Sequence, residues 1–203
     1  MKKVINVLLV ILISVCLFGC GQNNNDPIEK GKVDITVEEI ENGKRITFSK
    51  MLTSAADLQQ LDLTDQYQSV CAIVFALAAY EDSPTSSKEM LEYINGPEDV
   101  SEYDIDFIKN QIEQYPYVMR SYFDGTSPQK DYEIKNISIS VYNDNQSIEE
   151  GYARFWLESS GADNKRSVML RLKASTEQWF LFSDTYKGLM AGIRKPASED
   201  KWA

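Results

Sequence analysis

The chain has 203 residues, 43% hydrophobic and 11% aromatic, which suffices for a core and, at this length, for one compact domain. Against 21 bases stand 31 acids, a formal net charge of −10, and that balance excludes general binding to nucleic acid or to anionic lipid surfaces, both of which reward clustered Lys and Arg. There is no histidine, so no Ser-His-Asp or Cys-His nucleophile, no imidazole metal ligand and no imidazole general base can be assembled.

The chain opens with Met1-Lys2-Lys3, continues as an apolar run from Val4 to Leu17 broken only by Asn6 and Ser14, and reaches Leu17-Phe18-Gly19-Cys20. A positive start, an apolar stretch too short to span a bilayer and a small residue before the cut describe a secretory signal. The Leu-x-Gly-Cys ending resembles the bacterial lipoprotein signal, in which the Cys thiol takes diacylglycerol and the chain is cut just before it. Residues 1–19 are therefore expected to be a signal peptide, Cys20 the lipidated residue, and 20–32, polar and rich in turn formers, a lipid anchor and tether. Lys2 and Lys3 would leave with the signal, which makes the mature chain more acidic still. Of the three cysteines, Cys16 would leave too and Cys20 would carry lipid, so Cys71 has no partner for an intrachain disulfide. Its neighbours Val70 to Leu77 are apolar, and a small buried hydrophobe is the expectation there.

A single α+β domain is expected over 33–203. Val33 to Val37 alternate, Asn42-Gly43 is a two-residue turn signal and Arg45 to Phe48 return, which predicts a hairpin. From Thr64 to Tyr80 the chain is helical, and it is apolar on every side from Val70 to Ala79, as in a helix buried all round. Ser83-Pro84 is read as its stop, Ser86-Ser87-Lys88-Glu89 as a capping box for a short helix through Met90, Leu91 and Ile94, and Asn95-Gly96-Pro97 as the end of that helix. Ser101 with Asp104 predicts the start of a further helix carrying Ile105, Ile108 and Ile112, up to Pro116. Asp124 to Pro128 mark the passage out of the helical half.

The last third is strand-like. Ile137, Ile139 and Val141 alternate with polar residues, and Tyr152–Leu157, Val168–Leu172 and Trp179–Phe182 are β-rich runs separated by polar turns. Together these elements predict helices packed on one face of a curved antiparallel β-meander of four to six strands. A cone of the nuclear-transport-factor-like or cystatin-like kind would satisfy that order.

Little in the sequence carries chemistry. Ser127-Pro128-Gln129-Lys130 and Ser198-Glu199-Asp200-Lys201 match Ser-x-x-Lys but lack the companion Ser-Asp-Asn and Lys-Thr-Gly motifs. Asn143 to Ser147 offer oxygen ligands, yet a calcium loop starting at Asn143 would need Glu at its last position, where Arg154 stands. A hairpin loop is the better reading, so no metal site, no cofactor and no catalytic set is expected. The constellation with binding chemistry lies on the strands: Arg154 and Trp156 share one face of theirs, Arg171 follows on the next and Trp179 begins the last. Registered together, these four would hold an anionic or planar ligand. The alternative is that the Arg stems cover aromatic edges, with their charge paired to Asp163 or Glu158.

Ser160-Gly161-Ala162-Asp163 with Arg166, Leu170-Arg171, Gln178-Trp179-Phe180-Leu181, Ile193-Arg194-Lys195-Pro196 and Glu199-Asp200-Lys201-Trp202-Ala203 resemble the carboxy-terminal signature of an uncharacterised family of Gram-positive bacterial domains. Asn95-Gly96-Pro97, Tyr117, Ser121 to Gly125 and Pro128 resemble its middle section, so the similarity covers about residues 60–203. The resemblance implies a Gram-positive host and a single domain, and brings no catalytic residue with it.

The function expected from these readings is a lipid-anchored, extracytoplasmic and non-catalytic binding or interaction module. It would be held on the cell membrane through Cys20, with an envelope protein, a polysaccharide or a small ligand as partner and no nucleic acid. Two alternatives stand beside it: a carboxylate-based hydrolase acting on cell-envelope glycans, and a structural or assembly lipoprotein without a ligand pocket.

Overall fold

Six strands pair strictly in chain order and antiparallel: β1 (Ile35–Ile40), β2 (Gly43–Phe48), β3 (Ser138–Asn143), β4 (Tyr152–Leu157), β5 (Arg166–Lys173) and β6 (Gln178–Leu181). A computed structural model describes residues 31–143 and 148–202. The expected signal peptide, Cys20 and nearly all of the tether lie outside the described residues, as do Asp144 to Ser147 of the loop after β3. Gly31–Ala203 form one compact unit.

Between β2 and β3 the chain makes a helical excursion: α1 (Ala55–Leu58), α2 (Gln66–Ala78), α3 (Pro84–Ile94) and α4 (Glu102–Gln114). The hairpin at one end of the chain and the meander at the other then join through β2–β3 pairing, Arg45 opposite Ser140 and Ile46 opposite Ile139. The result is the expected α+β fold, a curled half-barrel sheet with helices, in which α2 packs against β2, β3, β5 and β6.

The all-round apolar stretch explains why the sheet curls about α2. Every residue from Ser69 to Leu77 is buried, and the sheet supplies Ile46, Phe48, Ile139, Val141, Phe155, Leu157, Val168 and Leu170 to cover them. Phe75 is central, its ring 4.9 Å from that of Phe48 and 5.6 Å from that of Phe123, both edge-on. Asp65 caps the helix, its side chain accepting from the Tyr67 N–H at 2.8 Å. Cys71 is fully buried, and burial pushes its thiol well above the ordinary value.

Two local expectations are corrected. The hairpin turn is Glu41-Asn42 rather than Asn42-Gly43: Ile40 pairs with Gly43, and Asn42 takes the left-handed conformation at φ 58°. Gly43 belongs to β2 for a different reason, since a Cβ there would lie 2.2 Å from the Val141 carbonyl oxygen of β3. The second correction concerns α3. Ser83-Pro84 does not merely stop α2: Ser83 is the cap of α3, accepting from the Ser86 N–H at 3.2 Å, and Pro84 occupies the first turn. Ser87, expected within the capping box, is buried inside α3 and donates to the Ala76 carbonyl at 2.7 Å.

Candidate functional site

The ladder decides which strand residues can meet. Arg154 and Trp156 on β4 stand opposite Met169 and Ser167, while Arg171 on β5 stands opposite Tyr152 on one side and Phe180 on the other. These side chains share the outer face of the sheet. Trp179 stands opposite Leu172, on the face that carries Leu170 and Phe155 into the core, and packs half-buried against it. So Arg154, Trp156 and Arg171 share a face and Trp179 does not. The Arg154 guanidinium lies 5.7 Å from the Trp156 ring centroid and that of Arg171 5.8 Å from the Tyr152 ring. Of the proposed counter-charges, Asp163 pairs with Arg194, and Glu158 accepts the Tyr142 hydroxyl at 2.9 Å.

A groove of about 810 Å³ opens where β5 and β6 end against the corner between α3 and α4. Arg171 lines it; Arg154, Trp156 and Trp179 do not. Local sequence builds its walls. Past α3, Gly96 at φ +67° lets the chain lie directly on Phe180, since a Cβ there would fall 2.6 Å from the ring. Ser101 then caps α4 as expected, accepting from the Asp104 N–H at 3.1 Å and donating to Asp104 Oδ2 at 2.6 Å. The cap fixes the Asp104 side chain, whose Oδ1 takes the Tyr186 hydroxyl at 3.0 Å and Lys187 Nζ at 3.0 Å. Lys187 also reaches Asp184 Oδ2 at 3.3 Å and lies 4.8 Å from the ring centroid of Tyr103.

The electrostatics follow from these contacts. Burial alone would push the Asp104 carboxyl up, but hydrogen bonds from Ser101, Lys187 and Tyr186 hold it below the usual carboxylate range. Burial would lower Lys187, and its hydrogen bonds with Asp104 and Asp184 hold it above the ordinary ammonium value instead. Tyr186 is pushed up, first by burial and then by Asp104. Asp104 is therefore an ionised acceptor held by three donors. It is the opposite of the raised carboxyl that would serve as proton donor to a glycosidic oxygen. The lining of the groove suits ligand binding. Leu91, Ile108, Phe180 and Phe182 give it an apolar wall, and Glu98, Asp99, Lys173 and Arg171 a polar rim.

No motif or spacing in the sequence singles out Tyr103, Tyr186 or Lys187. The last two sit in a 3₁₀ segment, Thr185–Met190, with neither helical nor strand period, and Tyr186 meets its partner across 82 residues of chain. Among the described residues no three His, Cys, Asp or Glu side chains converge as a metal site. No helix among them is long and apolar enough to cross a membrane.

Many of the residues that carry the family resemblance lie elsewhere and do structural work. Ser159 Oγ donates to Ser121 Oγ at 2.7 Å, Ser121 Oγ to the Val118 carbonyl at 2.6 Å, and the Ser160 N–H to the Ser121 carbonyl at 2.9 Å. Beyond β6 the Arg194 N–H donates to the Gly161 carbonyl at 2.9 Å, and the Arg194 carbonyl accepts the Tyr132 hydroxyl at 2.7 Å. Tyr132 stacks on Tyr117 at 5.5 Å, and burial pushes its hydroxyl to about 12. These contacts clasp the segment after β6 onto the loops flanking β3 and β4.

A family model described as "Domain of unknown function (DUF6935)" matches residues 47–197. No curated protein and no solved structure matches the chain.

Proposed function

The chain belongs to this family of unknown function, and we propose that it is a lipid-anchored, extracytoplasmic and non-catalytic binding module of a Gram-positive cell, which holds a small ligand in the groove between the α3–α4 corner and β6. The observation that carries the reading is the groove itself. Its volume of about 810 Å³ falls in the range of roughly 300–1,000 Å³ usual for small-ligand sites. A mixed apolar wall and polar rim is the lining of a small-ligand site. What supports the anchor is the run from Lys2 to Cys20, since two acyl chains on one Cys suffice for stable membrane attachment.

The binding reading is tested with the full chain in detergent micelles and a small-molecule library followed by thermal shift. Compounds that stabilise the chain, and lose that effect in Arg171→Ala, are the expected result. Stabilisation indifferent to Arg171→Ala, or none from any compound, would overturn the groove as the ligand site. Anchoring is tested in the native host: Cys20→Ala should release the protein from the membrane fraction or leave its precursor uncut. Unchanged processing together with membrane retention would sink the lipoprotein reading.

A further inference from the structure

Resting on the reading of the groove as a binding site, we infer that its ligand is a neutral oligosaccharide segment, with one pyranose ring stacked on Tyr103 and its hydroxyls bound by the paired charges of the rim.

Tyr103 stands at the groove 71% exposed, and among the described residues only Trp202 is a more exposed aromatic side chain. An aromatic face is electron-rich and attracts the polarised C–H bonds on the flat side of a pyranose whose substituents are equatorial. Most of the charges around it are paired in place. Lys187 is shared between Asp104 at 3.0 Å and Asp184 at 3.3 Å, and Arg171 lies 3.8 Å from Glu98. Such pairs exert little net pull on an ion, yet they leave acceptor carboxylates beside donor cations, and a vicinal diol uses both at once. The Glu98 and Asp184 side chains are 69% and 63% exposed, so they reach a ligand without breaking a buried contact.

Peptide recognition fits less well. Strand addition needs a free sheet edge beside the groove, but the Trp179 N–H of β6 is already bonded to the Leu63 carbonyl at 2.8 Å. An amphipathic helix needs a continuous apolar trough, and here acids and bases interrupt it. A neutral polyhydroxy ligand meets neither obstacle.

The test is calorimetric titration of the full chain in detergent micelles with cellotetraose and with chitotetraose. Binding of at least one is expected, weakened about tenfold by Tyr103→Ala and kept by Tyr103→Phe, which retains the ring. Tyr103 is exposed on α4, so the alanine variant keeps its fold. No heat with either saccharide, or binding indifferent to Tyr103→Ala, overturns the inference. A random tetrapeptide pool and the small-molecule library separate the two failures. If the saccharides fail while some peptide or other compound binds through Arg171, the saccharide is wrong and the groove reading stands. If nothing binds through Arg171, both fall.

Discussion

Asp104 is one carboxylate holding two elements together. Its Oδ2 takes the Ser101 hydroxyl of its own cap, and its Oδ1 takes Tyr186 and Lys187 from the segment after β6. Because those donors hold its folded-state pKa below the unfolded value of about 3.9, the stability it contributes is fully present above that value. It is lost as pH falls through the depressed folded one. Urea unfolding followed from about pH 6 down to about pH 2 should therefore show an acid limb. Asp104→Asn is expected to cost about 1–2 kcal/mol near neutral pH and to shrink that limb. The limb persists in part because Asp57, also held low, is engaged by Lys50 at 2.6 Å and by the Thr53 N–H at 3.1 Å. A limb unchanged in Asp104→Asn would show that the three donors contribute nothing. Half of this site was legible: Ser101 with Asp104 is a capping pattern of local spacing. Tyr186 and Lys187 carry no such pattern, and only the fold brings them to α4.

Among the elements, α3 shows how two local signals compete. Ser83-Pro84 and Ser86 to Glu89 both read as helix starts, and the structure chooses the first because Pro84 presets the first helical turn and needs no N–H partner there. Ser83→Ala should then cost about 1 kcal/mol, whereas Ser86→Ala, an interior substitution, should stay within about 0.5 kcal/mol, both by chemical denaturation. Equal costs at the two positions would contradict the assignment. Starting α3 at Pro84 also places Ser87 where its hydroxyl reaches Ala76 at 2.7 Å, which ties α3 to α2. The four strand residues that sequence grouped were divided by the same kind of register question. Alternation puts Arg154 with Trp156, but only the pairing of Leu172 with Trp179 assigns Trp179 to the other face.

For the whole molecule the critical junction is the pairing of β2 with β3, which joins segments separated by all four helices. Gly43 lies at that junction, and a methyl group there would meet the Val141 carbonyl at 2.2 Å, a backbone atom that cannot swing aside. Gly43→Ala is expected to cost about 2–4 kcal/mol in chemical denaturation, and a loss under about 0.5 kcal/mol would mean that the two strands part there at no cost. The sheet that this junction completes curls about α2, and the ends of its last two strands, β5 and β6, meet the α3–α4 corner to form the groove.

The order of the elements, the all-round burial of α2, the cap of α4 and the α+β class were written in the sequence, because each depends on residues within a turn or two of one another or on periodicity along one element. The hairpin's one-residue register was decided by the pairing of Ile40 with Gly43, and the start of α3 by Pro84 where two local signals overlapped. The groove, with Tyr103 and Asp104 from α4 brought to Phe180, Tyr186 and Lys187 from the stretch 180–187, was decided by the tertiary structure alone. Its contacts are long-range, and neither spacing nor composition encodes which faces of separate elements will meet.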